Sequence, residues 1–211
     1  SDWSSDVCSS DLAAYTRRRY RKGDTIFHAG DPGETLHMIV KGHVAIRVDT
    51  PLGDTSTLAV IGPGSSFGEQ VFLADDPHRT ASAVALEAVE TLALHRNDFE
   101  ALREKSAKID RLLVLVLAEQ VRRLSEQVID ARHASVPVRV ARVLRDLASS
   151  WGGKSSTVEI PITQDDLASL AGVTRPTMNR ALQELVDKGA IELGRGNLTI
   201  RDTRILTQRA R

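Results

Sequence analysis

A change in hydrophobic period near residue 97 constrains the fold of this 211-residue chain more than any other feature. Beyond that point, apolar residues recur at alternating spacings of three and four, at Val114, Leu117, Val121, Leu124, Val128 and Ala131. This spacing is typical of the a and d positions of a helix that pairs with another helix. A second apolar face over the first turns is formed by Leu112, Leu113, Leu115 and Val116. We expect one face to cover a neighbouring domain and the other to meet a second copy; the alternative is a helix packed only on its own domain.

Residues 20–96 show a different pattern, with short apolar segments rich in β-branched residues and separated by Gly and Pro. The segments read TIFHAG, LHMIVKGHVAIRV, STLAVIG, ASAVALEA and TLALHR. Short strands at this spacing, bounded by turn residues, indicate a β-sandwich or β-barrel. The N-terminal half is therefore predicted to be a β domain.

The first twelve residues, SDWSSDVCSSDL, follow neither pattern. They resemble the translation of a sequencing-adapter oligonucleotide, and residues 1–12 are predicted to be non-native. The only cysteine, Cys8, lies in this segment. Its position argues against a disulfide, a thiol sensor or an iron–sulfur cluster.

Charge and hydropathy limit the classes of partner that this chain is expected to bind. The chain carries 28 basic and 28 acidic residues, but residues 137–211 hold twelve basic and eight acidic ones, a net charge of +4. A basic C-terminal part hints at a polyanion partner. No apolar run reaches the roughly 20 residues that span a membrane, and no signal peptide is apparent. We expect a cytoplasmic protein without a membrane partner.

The stretch 162–202 carries the most specific local signals. Thr163 and Asp166 form a helix N-cap pair, and Gly172 suits a tight turn after the first helix. Thr174 can cap a second helix whose first turn accommodates Pro176. A hairpin follows around residues 194–197. Two short helices and a hairpin predict a winged helix-turn-helix; the alternative is a helical hairpin that only packs against the rest.

In such a motif the second helix enters the DNA major groove with its N-terminal residues leading. Arg binds guanine edges bidentately, and Thr methyl groups contact thymine. Gln164 and Arg195 are better placed to hold phosphates. The inward face is predicted to comprise Met178, Ala181, Leu182 and Leu185. The predicted DNA-binding residues are Thr163, Gln164, Thr174, Arg175, Thr177, Asn179, Arg180 and Arg195.

Histidines in the β-rich half raise a second class of function, a cupin-like metal enzyme. The spacing of His28, His37 and His43 fits no tight ligand pair, so half-exposed strand positions are predicted and no metal is expected. Asp75-Asp76 is interpreted as a solvated turn. Because no nucleophile–base set stands out, we do not expect an enzyme.

Three stretches together resemble the Crp/Fnr family of bacterial transcription factors, over about residues 14–205. They are YRKGDTIFHAGDPGETLHMIVKGHVAI, the cassette FGEQVFLADDPHRTASA and VTRPTMNRALQEL. The resemblance implies an α+β fold: a jelly-roll-like β-roll over residues 13–108, a dimerisation helix and hinge over 109–136, and a winged helix-turn-helix over 137–211. It also implies a homodimer paired through helix 109–134.

The cassette resembles the family's cyclic-nucleotide phosphate-binding segment. The resemblance implies that Glu69 accepts from the ribose 2′-hydroxyl and that Arg79 and Thr80 hold the phosphate. Gly68 would allow close approach of the backbone, Ala81 would complete the cradle, and Ser125 would reach the base. Arg suits a desolvated phosphate because its planar fork donates several hydrogen bonds. Without ligand, Glu69 and Arg79 could simply pair with each other.

Two departures from the family pattern affect specificity. Leu124 stands where cAMP-responsive relatives carry a hydroxyl, and Pro176 where relatives often carry an acidic base-reading residue. The effector is predicted to be cAMP or a related cyclic nucleotide, with haem, another nucleotide or no effector as alternatives. The resemblance further implies near-palindromic double-stranded operators, contact with RNA polymerase and a population shift about a hinge at residues 135–137.

Overall fold

Two compact units, each with its own buried core, make up the described part of the chain. The first comprises residues 15–48 and 61–123, and the second comprises 49–60 and 124–210. The computed structural model describes residues 15–50, 53–73, 77–105, 108–152 and 157–210. Segment 1–12 with Cys8, and the turn Asp75-Asp76, lie outside the described residues. The predictions made for them, and the domain boundaries predicted above, stay predictions.

Antiparallel sheets build the first unit, as the alternating apolar segments predicted. In one sheet the order is β1-β8-β3-β6, formed by Tyr15–Tyr20, Val89–His95, Thr35–Lys41 and Ser66–Phe67. In the other, strands pair in the order β2-β7-β4, formed by Thr25–Phe27, Ser82–Ala85 and Val44–Asp49. Strand β5, Thr55–Ile61, follows β4 along the chain. The fully buried Ala45, Ala83 and Ala93 show how small side chains fill the interior.

A smaller apolar cluster lies at one end of this unit. It forms between the short 3-10 helix Glu69–Phe72, strand β8 and helix α1, Arg96–Lys105. The rings of Phe72 and Phe99 stack with 4.3 Å between centroids. Leu113, from the predicted second apolar face of the long helix, packs against this cluster. That face therefore contacts the β domain, as expected.

The long helix α2 spans Lys108–His133, 26 residues, and helix α3 follows as Val136–Gly152 with Pro137 in its first turn. Proline disfavours a helical conformation at the residue before it, so Pro137 predicts a helix boundary, and the structure confirms it. The sequence SSWGGKSS over residues 149–156 is typical of a loop. That prediction is wrong for residues 149–152, because α3 continues to Gly152. Ser149 Oγ donates to the Arg145 carbonyl oxygen at 3.0 Å within the helix. A Cβ at Gly152 would lie 2.6 Å from Val158 Cγ2, so glycine allows this helix end to pack closely.

The C-terminal part contains the two predicted short helices, α4 and α5, and the predicted hairpin, together with a further helix, α6. Helix α4 is Gln164–Ala171, α5 is Arg175–Asp187 and α6 is Thr203–Arg209. A three-stranded antiparallel sheet has the order β10-β11-β9, formed by Ile191–Gly194, Asn197–Ile200 and Val158–Ile160. The inward face of α5 is confirmed, since the buried residues of this helix are Met178, Ala181, Leu182 and Leu185.

Residues 55–60 of strand β5 belong to this second unit. The buried Thr57 donates from Oγ1 to Asp166 Oδ1 at 2.6 Å, at the start of α4. Gln127 Nε2 donates to the Leu58 carbonyl oxygen, and Val60 packs against the core of the unit. The hydrogen bond from Thr57 therefore ties the start of α4 to strand β5.

Within the described ranges, no helix is both long enough and apolar enough to cross a membrane.

Substitution of Leu182 by alanine tests the core of the second unit. Leu182 is fully buried, and removal of a buried leucine side chain lowers the free energy of unfolding by about 2–5 kcal/mol. Urea unfolding followed by Trp151 fluorescence measures the loss, because Trp151 packs against this core. A Trp3→Phe background leaves Trp151 as the only tryptophan. The exposed Gln183→Ala serves as control and should change the free energy of unfolding by under about 0.5 kcal/mol; equal effects of both changes would contradict this packing.

Candidate functional site

A cavity of about 350 Å³ lies in the first unit, between the β-strands and the start of α2. Three predicted ligand-binding residues line it: Gly68, Glu69 and Ala81. Its β side is otherwise largely apolar, with Phe27, Leu36, Met38, Ile61 and Phe67 among the lining residues. A volume of this size and a largely apolar wall with a few polar groups are typical of small-molecule sites.

Gly68 is required by geometry at the mouth of this cavity. Its φ of 81° lies in the left-handed region, which L side chains avoid. A Cβ at this position would lie 2.5 Å from Arg79 Nη1 and 3.1 Å from the Thr35 carbonyl oxygen. Glycine at position 68 therefore lets the backbone lie close to Arg79. Its approach to a ligand stays a prediction.

Glu69 opens the short 3-10 helix and is only 5% exposed. Burial raises the pKa of its carboxyl group. A hydrogen bond from its own backbone amide, then the charges of Arg123 and of Arg79, oppose that rise in pKa. The ion pairs among the described residues do not include one between Glu69 and Arg79, so their direct pairing is not what the structure shows.

Arg79 is 6% exposed, and its guanidinium group is held by neighbouring strands. Nη2 donates to Thr35 Oγ1 at 2.9 Å, Nη1 donates to the Gly68 carbonyl oxygen at 3.2 Å, and the group lies 4.0 Å from the Phe27 ring centroid. Its buried Nε has no hydrogen-bond partner among the described residues. Arg79 lines a neighbouring polar cavity of about 270 Å³ rather than the larger one.

His37 lies beside Arg79 and is buried, with 4% exposed, as is His43. The prediction of half-exposed histidines is therefore wrong for these two positions. The ring nitrogens of His37 contact Thr35 Oγ1 at 3.1 Å and Thr91 Oγ1 at 3.2 Å. Burial and the charge of Arg79 lower the pKa of His37 to about 3, so it stays neutral beside the arginine. In the described part of the chain, no group of three His, Cys, Asp or Glu residues is suited to hold a metal.

The remaining predicted ligand-binding residues do not line the larger cavity. Thr80 is exposed, and its Oγ1 donates to Gln70 Oε1 at 2.9 Å. Ser125 is exposed on α2. By the helical repeat of 3.6 residues, it lies on the opposite side of α2 from the cavity-lining Val116, nine residues earlier.

Sequence reasoning missed the polar residues that α2 contributes to the cavity: Glu119, Gln120 and Arg123. Their signal was available, since Val116, Gln120 and Arg123 follow the four-then-three spacing of one helical face. The sequence does not show which of the adjacent arginines 122 and 123 faces the cavity, and only the fold shows that it is Arg123. Thr35 and Phe27, which hold Arg79, carried no sequence signal, because they are distant from Arg79 along the chain.

The helix-turn-helix begins with the predicted capping box. Asp166 N donates to Thr163 Oγ1 at 3.1 Å, and Thr163 N donates to Asp166 Oδ2 at 3.3 Å. Gly172 ends α4 with φ 60°, as predicted. Thr174 precedes α5, but its side chain does not cap the helix as expected. Its hydroxyl is instead hydrogen-bonded to Thr177 Oγ1 at 2.9 Å.

The predicted DNA-binding residues form an accessible surface over α4, α5 and the hairpin. Arg175 makes an ion pair with Asp165 at 3.3 Å, with both side chains largely exposed. Thr177 and Gln164 are partly exposed. The exposed members are Thr163, Thr174, Arg175, Asn179, Arg180 and Arg195. Their roles toward DNA stay predictions.

Family models match both halves of the chain. Residues 17–106 match the cyclic nucleotide-binding domain, and residues 138–209 match the Crp-like helix-turn-helix domain. The first match contains the cassette residues Gly68, Glu69 and Arg79, and the second contains helices α4 and α5.

Proteins of known role are similar over nearly the whole chain. The CRP-like cAMP-activated global transcriptional regulator of Mycobacterium tuberculosis is 32% identical over 209 residues, which covers 96% of this chain and 93% of that protein. The cyclic AMP receptor protein of Thermus thermophilus is 34% identical over 197 residues, 93% of this chain and 89% of that protein.

Solved structures show the same fold. FixK2 from Bradyrhizobium japonicum superposes with a TM-score of 0.77 at 22% identity, over 92% of this chain and 96% of that chain. The Thermus thermophilus catabolite activator protein gives a TM-score of 0.53 at 32% identity, over 97% and 96%. Sequence identity over almost the entire length, the two domain matches and this fold together show that the chain belongs to the Crp/Fnr family of transcriptional regulators.

Proposed function

We propose that this DNA-binding regulator acts as a homodimer whose β domain binds a cyclic nucleotide, with cAMP as the first candidate. The observation that carries the proposal is the cavity lined by Gly68, Glu69 and Ala81, with the buried Arg79 immediately behind Gly68. Both relatives described above are named for cAMP. A cytoplasmic location and contact with RNA polymerase follow from the family resemblance and stay predictions, as does the absence of catalysis.

The charges at the cavity mouth suit a ribose and a cyclic phosphate. Glu69 is buried, and a hydroxyl donor would stabilise its ionised form, which burial disfavours. Arg79 already has a buried donor, Nε, without a hydrogen-bond partner. A buried polar group without a partner costs about 1–3 kcal/mol. In the proposal, Arg79 turns from the Gly68 carbonyl oxygen to the phosphate, and the adjacent Thr80 and the backbone at Ala81 complete the cradle.

Exposed apolar side chains on α2 support the homodimer. Along the predicted seam, Val121 is 63% exposed and Leu124 is 49% exposed, and Val114 and Val128 are exposed as well. Contiguous exposed apolar residues at a and d spacing are typical of a helix that lacks its partner. Two copies of α2 would bury this seam, in agreement with the interface predicted over residues 109–134.

The exposed surface of α5 supports reading of DNA. Arg175, Asn179 and Arg180 project from the N-terminal half of this helix, which is the part that enters the major groove in helix-turn-helix proteins. The ion pair of Arg175 with Asp165 is exposed and therefore weak, so DNA can displace it. In a dimer, two such helices one turn of DNA apart, about 34 Å, would read a near-palindrome.

Calorimetric titration of residues 13–211 with cAMP tests the effector site. We expect saturable binding, reduced about 100-fold or more in Arg79→Leu, because hydrogen bonds to a charged phosphate contribute about 1.5–3 kcal/mol each. Arg79→Lys keeps the charge without the fork and should lie between the two. Arg19→Leu is the matched control, since Arg19 is exposed on β1 and contacts Glu90. Unchanged cAMP affinity in a folded Arg79→Leu variant would contradict the assigned phosphate contact.

Sedimentation of Leu124→Glu and Val121→Glu variants tests the dimer. A charge in a buried seam loses its hydration, so both variants should sediment at the single-chain mass while the parent chain sediments as a dimer. Ile129→Glu is the matched control, because Ile129 is an exposed apolar residue on the same helix but outside the predicted seam. A dimer that survives the two seam changes, or that Ile129→Glu alone disrupts, would place the interface elsewhere.

A further inference from the structure

Helix α2 presents a polar stripe to the effector cavity. Val116, Glu119, Gln120 and Arg123 line it, at the positions that share one helical face. The next residue, Leu124, is turned by about 100° from Arg123 and belongs to the exposed seam. The helix therefore places a cation, Arg123, on the wall of this cavity, whereas Arg79 lines the neighbouring one.

The guanidinium group of Arg123 does not have all of its possible hydrogen bonds. Its Nε is buried and has no hydrogen-bond partner among the described residues. Buried donors in native proteins are nearly always paired, so an unpaired donor on a cavity wall points to an acceptor that arrives with a ligand. The buried Nε of Arg79, which lines the neighbouring cavity, likewise has no hydrogen-bond partner among the described residues.

Arg123 and Arg79 do not duplicate one another. Of the two, Arg123 has the larger effect in lowering the pKa of Glu69. Arg79 is instead held toward the strands by Thr35 and the Phe27 ring. Arg79 is thus engaged by the strands, whereas Arg123, on α2, is the charge that acts most on Glu69.

Apolar side chains form another part of the wall that Arg123 lines. Leu113 and Val116 from α2, with Leu36 and Met38 from β3, line the same cavity. Such apolar surface suits a planar heterocycle better than a phosphate, which needs several donors around it.

We propose that Arg123 reads the base of the cyclic nucleotide and favours a purine that presents two adjacent acceptors. This inference rests on the proposed function, and it names a residue that determines specificity at the same site. Arg donates bidentately to O6 and N7 of guanine, and hypoxanthine presents the same two acceptors. Adenine offers N7 alone on that edge, because its N6 amino group is a donor. Ser125 and Leu124 do not line the cavity and are not required for this contact.

The test compares the binding of cAMP, cyclic GMP and cyclic IMP by the parent chain and by Arg123→Leu. A bidentate contact to a base contributes about 10- to 100-fold in discrimination. We expect Arg123→Leu to lose this factor for cyclic GMP and cyclic IMP and to lose less than about threefold for cAMP. Arg111→Leu is the matched control, since Arg111 is exposed on the same helix and does not line the cavity. The Arg123→Lys variant keeps the positive charge but lacks the planar guanidinium group, so it shows which of the two the base contact requires.

The outcomes distinguish this inference from the function on which it rests. Equal losses for all three nucleotides would mean that Arg123 acts on the shared ribose and phosphate, and would overturn base reading. Unchanged affinities in Arg123→Leu would overturn the contact altogether while leaving the cyclic-nucleotide site intact. Failure of the parent chain to bind any of the three would overturn the proposed effector class, and this inference with it.

Discussion

Helix α2 has two faces with different roles, and both the cavity and the proposed dimer depend on them. One face buries Ile109 and Leu113 against the β domain and closes the cavity with Gln120 and Arg123. The other leaves a seam exposed, of which Leu124 is the clearest member. Both faces belong to one helix of 26 residues. In the proposed function, a ligand that displaced this helix at the cavity would also displace the seam. A packed helix transmits such a displacement because interiors are dense and deform little.

Buried charge defines the chemistry of the effector site. Glu69 and Arg79 are almost fully buried, yet they do not form a direct ion pair, and the neighbouring His37 is neutral. An isolated charge in a protein interior is unfavourable unless hydrogen bonds or an opposite charge compensate for it. Here Thr35 and the Phe27 ring compensate only in part, since Nε of Arg79 lacks a partner. An anionic ligand with a hydroxyl group would complete both sets of contacts.

Elements whose signals are local could be predicted from the sequence. Helix α2, the capping box at Thr163 and the turn at Gly172 depend on residues within a few positions of each other, and the structure has all three. Pairing along the seam of α2 stays a prediction. Three of the six predicted ligand-binding residues line the larger cavity, whereas Arg79 lines the smaller one and Thr80 and Ser125 line neither. Their roles toward a ligand stay predictions. The direction of Arg79 depends on strands distant along the chain, and the inward orientation of Arg123 depends on which face of α2 meets the sheet. Such facts follow from tertiary packing, which no local pattern encodes.

The affinity for DNA, measured with and without effector, tests whether the cavity and the DNA-binding surface are coupled. A duplex enriched from random sequence by the protein itself, in the presence of cAMP, would be titrated by fluorescence anisotropy. The account predicts that saturating cAMP changes the affinity of the parent chain for this duplex by about 5- to 150-fold. In Arg79→Leu the affinity should stay at its ligand-free value. An affinity that is the same with and without every cyclic nucleotide the protein binds would contradict the coupling of the two sites.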